Sequence, residues 1–156
     1  MTVMINPSSD AINVIANQVA KCCSQNVLAK DFVHIILSQI SLEDFELQEQ
    51  SSWVKILSSL FMASLLRTPG IANIRVNNEA VNSNDVSSNR STLEIISDDF
   101  PFLIDSFKIV LDNLGATCNA IAHPVISVSR DSAGHLIAAP GDVNESVVWM
   151  EIERLS

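Results

Sequence analysis

The stretch "SDDFPFLIDS", Ser97 to Ser106, holds the residues most able to do chemistry in this chain. Asp98 and Asp99 are adjacent carboxylates, and Pro101 comes shortly after them. Paired carboxylates can act as an acid/base pair or hold a metal ion. They can also sit at a helix N-terminus, where they accept orphan N–H groups and complement the helix dipole. The residues after Pro101 favour the second role. Leu103, Phe107, Val110, Leu111 and Leu114 recur at helical spacing, Gly115 closes the run, and Pro101 falls where a missing N–H costs nothing. Asp98 and Asp99 are therefore expected to cap a helix. Phe100 and Phe102 flank Pro101 at this strand-to-helix turn. Aromatic rings there are expected to pack on the sheet or dock a neighbouring domain, with contact to a small anion or amino acid beside the helix N–H groups as the alternative.

No other residues form a convincing catalytic set. The chain has no GxSxG, GxGxxG or P-loop pattern. Cys118 and His123 lie five apart on a strand pattern and so point to opposite faces. His34, His123 and His135 are scattered without metal-ligand spacing. His123 precedes Pro124 and reads as a structural residue at a bulge, and His135 as a solvated turn residue. A small enzyme built on Asp98, Asp99 and His123 would require the three to converge. Trp53 and Trp149 each lie in apolar patterns and read as core. The three cysteines, Cys22, Cys23 and Cys118, form no CxxC and suit a reducing, cytoplasmic setting better than a disulfide framework.

Bulk properties narrow the partners. The 156 residues carry a formal net charge of −9 and no basic cluster, which disfavours nucleic acid and anionic membranes. Mean hydropathy is +0.28, so some apolar surface is left for a partner or a longer chain unless core packing absorbs it. The start, "MTVMINPSSD", lacks a signal peptide's cationic region, and "WVKILSSLFMASLL" is too short and too broken to span a bilayer.

The elements expected to position the acidic turn fall into two groups. Residues 8–24 read as a helix with Ile12, Ile15, Val19 and Cys22 on one face. The segment 31–40 reads as a second helix, and "SLED" offers a capping box with Ser41 as N-cap. Residues 52–67 form a third helix, stopped by "RTPG", with Arg67 suited to the last turn. After Gly70 come a short strand in "IANIRVNN", a flexible Asn- and Ser-rich loop over 79–91, a strand at 92–97 and the helix after Pro101. A strand at 117–130 broken by Pro124, a turn at "RDSAGH", a short strand at "HLIAA", a loop at "DVNE" and a strand at 146–155 complete the pattern. The fold class is α+β, with a helical segment 1–70 and an α/β domain 71–156. The order strand, strand, helix, strand, strand is the opening of a ferredoxin-like βαββαβ unit without its second helix and last strand. The face bearing Val148, Met150 and Ile152 is then expected to lack cover. Either Ile12, Ile15 and Val19 supply it, or the chain self-associates through it.

"STLEIISDDFPFLIDSFKIVLDNLG", "AIAHPVISVSRDSAGHL" and "ESVVWMEIERL" together resemble the N-terminal region of the large bacterial NAD-specific glutamate dehydrogenases. That family carries a strand ending in a DD-(aromatic or Met)-PFLVDS turn, an HPV strand, an R-D-x-x-G turn and a strand closing in EI(D/E)R. "DFVHIILSQISLEDF" and "PGIANIRVNN" also resemble its preceding segments, so the likeness covers roughly 31–155. The resemblance implies a truncated ACT-like unit with its leading helices, serving regulation or assembly in a long, homo-oligomeric, cytoplasmic enzyme. That enzyme oxidatively deaminates L-glutamate with NAD in downstream domains, so this chain would bind no cofactor and hold no catalytic residue. The turn Asp98, Asp99, Phe100, Pro101, Phe102, Leu103 also resembles the D-x-P-x-L loop of amino-acid-binding ACT domains. There the residue after proline is often glycine; here it is Phe102, which turns the expectation from an amino-acid effector toward interdomain or intersubunit contact.

Overall fold

The structure, a computed structural model, describes residues 3–78 and 90–153. The predicted loop over 79–91 lies outside the described residues except for Arg90 and Ser91, which are strand.

Four helices come first: α1 (Ser9–Cys22), α2 (Val27–Leu37), the short α3 (Leu42–Glu46) and α4 (Gln50–Ser64). Their starts reflect local chemistry. The side chains of Ser8, Asn26 and Ser41 accept backbone N–H bonds at the first turns of α1, α2 and α3. The predicted apolar faces are largely the buried ones: Ile12, Ile15 and Val19 on α1, and Trp53, Ile56, Leu57, Leu60 and Phe61 on α4; Cys22, predicted on the α1 face, is exposed, and Cys23 is buried instead. Phe32 meets Phe61 edge to face at 5.3 Å, and Trp53 stacks on Phe45 while donating its indole N–H to the Phe45 carbonyl at 2.8 Å.

The second half is an antiparallel sheet of β1 (Asn73–Asn77), β2 (Arg90–Asp98), β3 (Cys118–Ala122), β4 (Val125–Arg130) and β5 (Leu136–Glu153), with α5 (Leu103–Asn113) between β2 and β3. The order is β1-β2-β5-β3, and β4 also pairs with β5. This is the α+β, ferredoxin-like arrangement that the element order predicts. One detail differs. The edge place beside β2, where the last strand of a βαββαβ unit lies, is filled by β1, which pairs antiparallel with β2. No second helix packs beside α5 among the described residues, so Ile74 and Val76 on β1 stay exposed.

The Pro124 interruption is real: His123 and Pro124 separate β3 from β4. The "DVNE" loop is not observed, because β5 runs unbroken from Leu136 to Glu153. Asp142 and Asn144 face solvent, where Ser129 Oγ donates to Asp142 Oδ1 at 2.7 Å and accepts from the Asp142 N–H at 3.2 Å, while Glu145 turns inward and is buried. At Gly141 the strand crosses so close to β4 that a Cβ would lie 2.1 Å from the Val128 carbonyl carbon.

The sheet is covered on both faces, and this corrects the expectation of a bare face. Val148, Met150 and Ile152 are buried under α5, against Leu103, Ile104, Phe107 and Leu111. β5 lies between β2 and β3, so the helix crossing from β2 to β3 covers it. The N-terminal helices pack on the opposite face, against Ile96, Ala122, Ile126, Val128, Val147 and Trp149. Self-association through Met150 therefore loses its premise. The two halves also join through backbone: the Arg67 N–H donates to the Gly134 carbonyl at 3.0 Å, and the Leu136 N–H to the Leu65 carbonyl at 2.9 Å. The Gln39 side-chain amide supplies a further link, donating to the Val125 carbonyl at 2.7 Å and accepting from the Val125 N–H at 2.9 Å.

Candidate functional site

The acidic turn is built at the end of β2, but its two aspartates go separate ways. Asp98 is the last residue of β2, opposite Glu145 on β5. Arg67, just past α4, reaches under the sheet and donates through one nitrogen to Asp98 at 2.6 Å and Glu145 at 2.8 Å. Arg130 holds both oxygens of Glu145, at 2.8 and 2.9 Å, and also donates to the Gly134 carbonyl at 2.8 Å. Arg67 and Glu145 are almost fully enclosed. Burial alone would raise the Glu145 carboxyl, but the bonds from Arg130 and Arg67 outweigh it and hold its pKa below the usual value. Burial likewise opposes the charge of Arg67, yet its bonds to Glu145 and Asp98 leave its pKa raised. Two guanidinium groups face two carboxylates, and the charge closes on itself. Arg67 Nε is left buried without a partner.

Asp99 takes part in a different chain. Ser146 Oγ lies 3.1 Å from Asp99 Oδ1 and 3.1 Å from His123 Nε2. An ionised carboxylate only accepts, so the serine proton goes to Asp99 and His123 Nε2 must donate to the serine. A serine nucleophile needs the reverse, a histidine that accepts its proton. Ser146 is also fully buried. Burial depresses the His123 pKa, partly offset by the nearby Asp99 charge. Serine, histidine and aspartate thus form a structural relay that pins the turn to β5. Asp99 and His123 meet on the Ser146 hydroxyl while Asp98 turns to Arg67, so the three do not share one site, and no group of three or more His, Cys, Asp or Glu among the described residues could hold a metal ion.

The capping expectation is overturned. α5 starts at Leu103, its N-cap is Phe102, and no side chain caps it. Asp98 and Asp99 lie too far back, spent on the sheet side. Phe102 adopts the left-handed backbone, φ 61°. Phe100 and Phe102 project into solvent, 55% and 76% exposed, while Leu103 and Ile104 turn inward onto the sheet. Gly115 closes α5 as predicted: Ala116 N–H reaches the Leu111 carbonyl at 2.9 Å and Gly115 N–H the Asp112 carbonyl at 3.0 Å. An L-residue in the left-handed region costs about 1–2 kcal/mol, and glycine loses roughly 0.5–1 kcal/mol of that gain through its freer unfolded chain. Since the Phe102 ring is mostly exposed, Phe102→Gly is expected to stabilise the chain by about 0.5–1 kcal/mol, read as a raised midpoint in urea. A lowered midpoint would mean that the ring packs more than its exposure implies.

The residues that anchor the turn, Arg67, Arg130, Glu145 and Ser146, escaped the sequence reading. Glu145 and Ser146 sit in what looks like a loop and its exit, and Arg67 looks like an ordinary helix-ending residue. Its partner Glu145 is 78 positions away.

Residues 32–156 match the family model described as "Glutamate dehydrogenase, ACT1 domain". The chain is similar to an NAD-specific glutamate dehydrogenase of Halomonas elongata, 26% identical over 132 residues, which cover 80% of this chain and 8% of the relative. It is also similar to an NAD-specific glutamate dehydrogenase of Pseudomonas aeruginosa, 32% identical over 88 residues, 52% of this chain and 5% of the relative. The chain thus spans less than a tenth of the length of either relative. No solved structure matches.

Proposed function

Because this chain belongs to the glutamate dehydrogenase ACT1-domain family, we propose that it is a non-catalytic domain acting in regulation and assembly of a large NAD-dependent glutamate dehydrogenase. The full enzyme would convert L-glutamate oxidatively to 2-oxoglutarate and ammonia in downstream domains of the same polypeptide, as a cytoplasmic homo-oligomer. The observation that carries this reading is the family match over most of the chain, set beside the small share of each relative that the chain covers. The site chemistry agrees with it. The acidic turn is closed by internal bonds, and Ser146 donates the wrong way for a nucleophile. The four glycines, at 70, 115, 134 and 141, form no GxGxxG pattern, which supports placing NAD in the downstream domains. The chain is accordingly expected to form no NADH from glutamate above a heat-killed control.

What remains outward at the turn is Phe100 and Phe102, and these are the residues assigned to interdomain or intersubunit contact, with Asp98, Asp99, Pro101 and Leu103 shaping their support. The test uses the full-length enzyme. Phe100→Ser with Phe102→Ser should leave the fold intact, since both rings are exposed, and should alter the sedimentation coefficient or the glutamate KM. Unchanged assembly and kinetics would sink the contact role. A second reading, an amino-acid sensor at the same turn, is favoured by one observation: Phe102 keeps the left-handed backbone that glycine would adopt. Calorimetry of the chain against the standard amino acids decides it; a saturable isotherm weakened by Phe102→Ser supports a sensor, and silence removes it.

A further inference from the structure

The cover that α5 gives the sheet stops short of β1. Ile74 lies opposite Ile95, and Val76 opposite Leu93. Ile95 and Leu93 pack in the α5 cluster. Arg75, between the two β1 residues, turns the other way, to Glu94 and Ser59 on the α4 side. Side chains alternate along a strand, so Ile74 and Val76 stand on the α5 face. Both are β-branched, a type that fits a half-buried pleated surface, yet they are 61% and 64% exposed.

The helix α5 supplies a wall beside this floor. Leu103, Phe107 and Leu111 rest on the sheet, while Val110 and Leu114, four apart, form an apolar flank that stays exposed. Strands β2 and β3 both run antiparallel to β5, so they are parallel to each other and α5 is the crossover between them. Such crossovers are right-handed, and a right-handed path turns the Val110–Leu114 flank toward β1. Floor and wall together make a groove along β1 with the width of a helix. Since α5 lies over β5, β1 is two strands away, about 9–10 Å, and packed helices sit about 8–10 Å apart.

We propose that this groove takes an amphipathic helix formed by the segment that follows Glu153 in the long enzyme, with its apolar stripe on Ile74, Val76, Val110 and Leu114. The proposal rests on the reading that further domains follow this one in the same polypeptide. Three observations choose that occupant. First, β5 ends at Glu153, opposite Arg90, where the Glu153 N–H donates to the Thr117 carbonyl at 2.9 Å. The polypeptide thus leaves the sheet at the end of the groove marked by Val76 and Leu114, one strand from β1. Second, the way back along the five residues of β1 is about 17 Å, which roughly 12 residues of helix span. Each relative is more than ten times the length of the stretch it shares with this chain, which leaves ample polypeptide for it. Third, a formal net charge of −9 sets two copies against each other and disfavours a second chain in the groove.

The test joins the chain to the segment of roughly 20 residues that follows the counterpart of Glu153 in the Halomonas elongata enzyme, enough for a short turn and the helix. The extension should raise the urea midpoint by roughly 1 M and shift the methyl signals of Ile74 and Val76. Ile74→Lys with Val76→Lys should leave the midpoint of the unextended chain nearly unchanged, because both side chains are exposed. In the extended chain the same pair should cancel the gain. An extension that adds no stability, or adds as much in the double variant as in the wild type, would overturn the proposal. Concentration-dependent dimerisation of the unextended chain, abolished by the double variant, would give the groove to a second copy and overturn it as well. These readouts involve neither assembly nor kinetics of the full enzyme, so the regulatory reading and this one fail separately.

Discussion

Glu145→Ala is expected to destabilise the chain by about 3–5 kcal/mol, enough to leave many domains of this size partly unfolded. The side chain is 1% exposed and accepts from Arg67 and from two nitrogens of Arg130. Removing it leaves Arg67 with Asp98 as its carboxylate partner and Arg130 with the Gly134 carbonyl, both cations out of water. The loss reflects those stranded charges rather than the net worth of the cluster. Replacing the group together, as Arg67→Met, Glu145→Leu and Arg130→Met, should therefore cost far less than the single substitution. The pH dependence comes from the depressed Glu145 pKa. A carboxyl lowered in the folded state contributes fully above its ordinary value of 4.5 and loses that contribution as pH falls through its lower folded value. The stability gap between wild type and Glu145→Ala should hold steady from neutral pH down to that ordinary value and then close in acid. A gap that does not narrow in acid would show that lost packing, not charge, dominates. His123 acts in a separate window. Its folded pKa is lowered, so its contribution is present above the ordinary value of 6.5 and is lost as pH falls below it.

Gly134→Ala should be the next most damaging change, at about 2–4 kcal/mol from left-handed strain and overpacking combined. Gly134 has φ 93°, and a Cβ there would sit 2.4 Å from the Arg67 carbonyl oxygen. That oxygen is backbone, tied down because the Arg67 N–H donates to the Gly134 carbonyl and the Arg130 guanidinium binds the same carbonyl. The methyl would push the α4 exit off the β4–β5 turn. Because this joint and the shared apolar core link the helices to the sheet, urea unfolding should remain one transition in the wild type, whether followed by far-ultraviolet circular dichroism or by tryptophan fluorescence. In Gly134→Ala the two probes are expected to part if the joint is what couples the halves. Coincident curves with an unchanged midpoint would show that the turn absorbs the methyl.

What the sequence made legible is what periodicity encodes. The faces of α1 and α4 and the alternation in β2 come from apolar spacing, and the Gly115 stop comes from local backbone chemistry; on α5 the spacing is only partly right, because Leu103, Phe107 and Leu111 pack on the sheet while Val110 and Leu114 are exposed. The parts that misled depend on distant partners. Asp98 and Asp99 look like caps because a strand, two acids and a proline precede a helix; only the arrival of Arg67 and Ser146 from elsewhere assigns them otherwise. "DVNE" looks like a loop because Asp142 and Asn144 face water and Glu145 is a charge whose buried partners, Arg67 and Arg130, lie elsewhere in the sequence. The face bearing Val148, Met150 and Ile152 looks bare until β5 is seen to insert between β2 and β3, beneath α5.

The place of β1 bears on how the sheet is assembled. With β1 at the edge beside β2, the domain has the strand arrangement of a ferredoxin-like unit whose last strand has been moved to the front, a circular permutation in effect. In the unpermuted order that edge pairing closes over the whole unit, after the crossover helix. Here Asn77 and Thr92 pair across the short stretch between them. Loop-closure entropy grows with the logarithm of loop length, each doubling costing about 0.6 kcal/mol, so moving one strand converts the most distant edge pairing of the unit into a near neighbour. Chains rich in local pairings fold faster at equal stability. The β1–β2 ribbon can therefore form early and offer β5 a ready edge, so that the strand carrying Glu145, Ser146 and Trp149 is the one that locks the sheet together last.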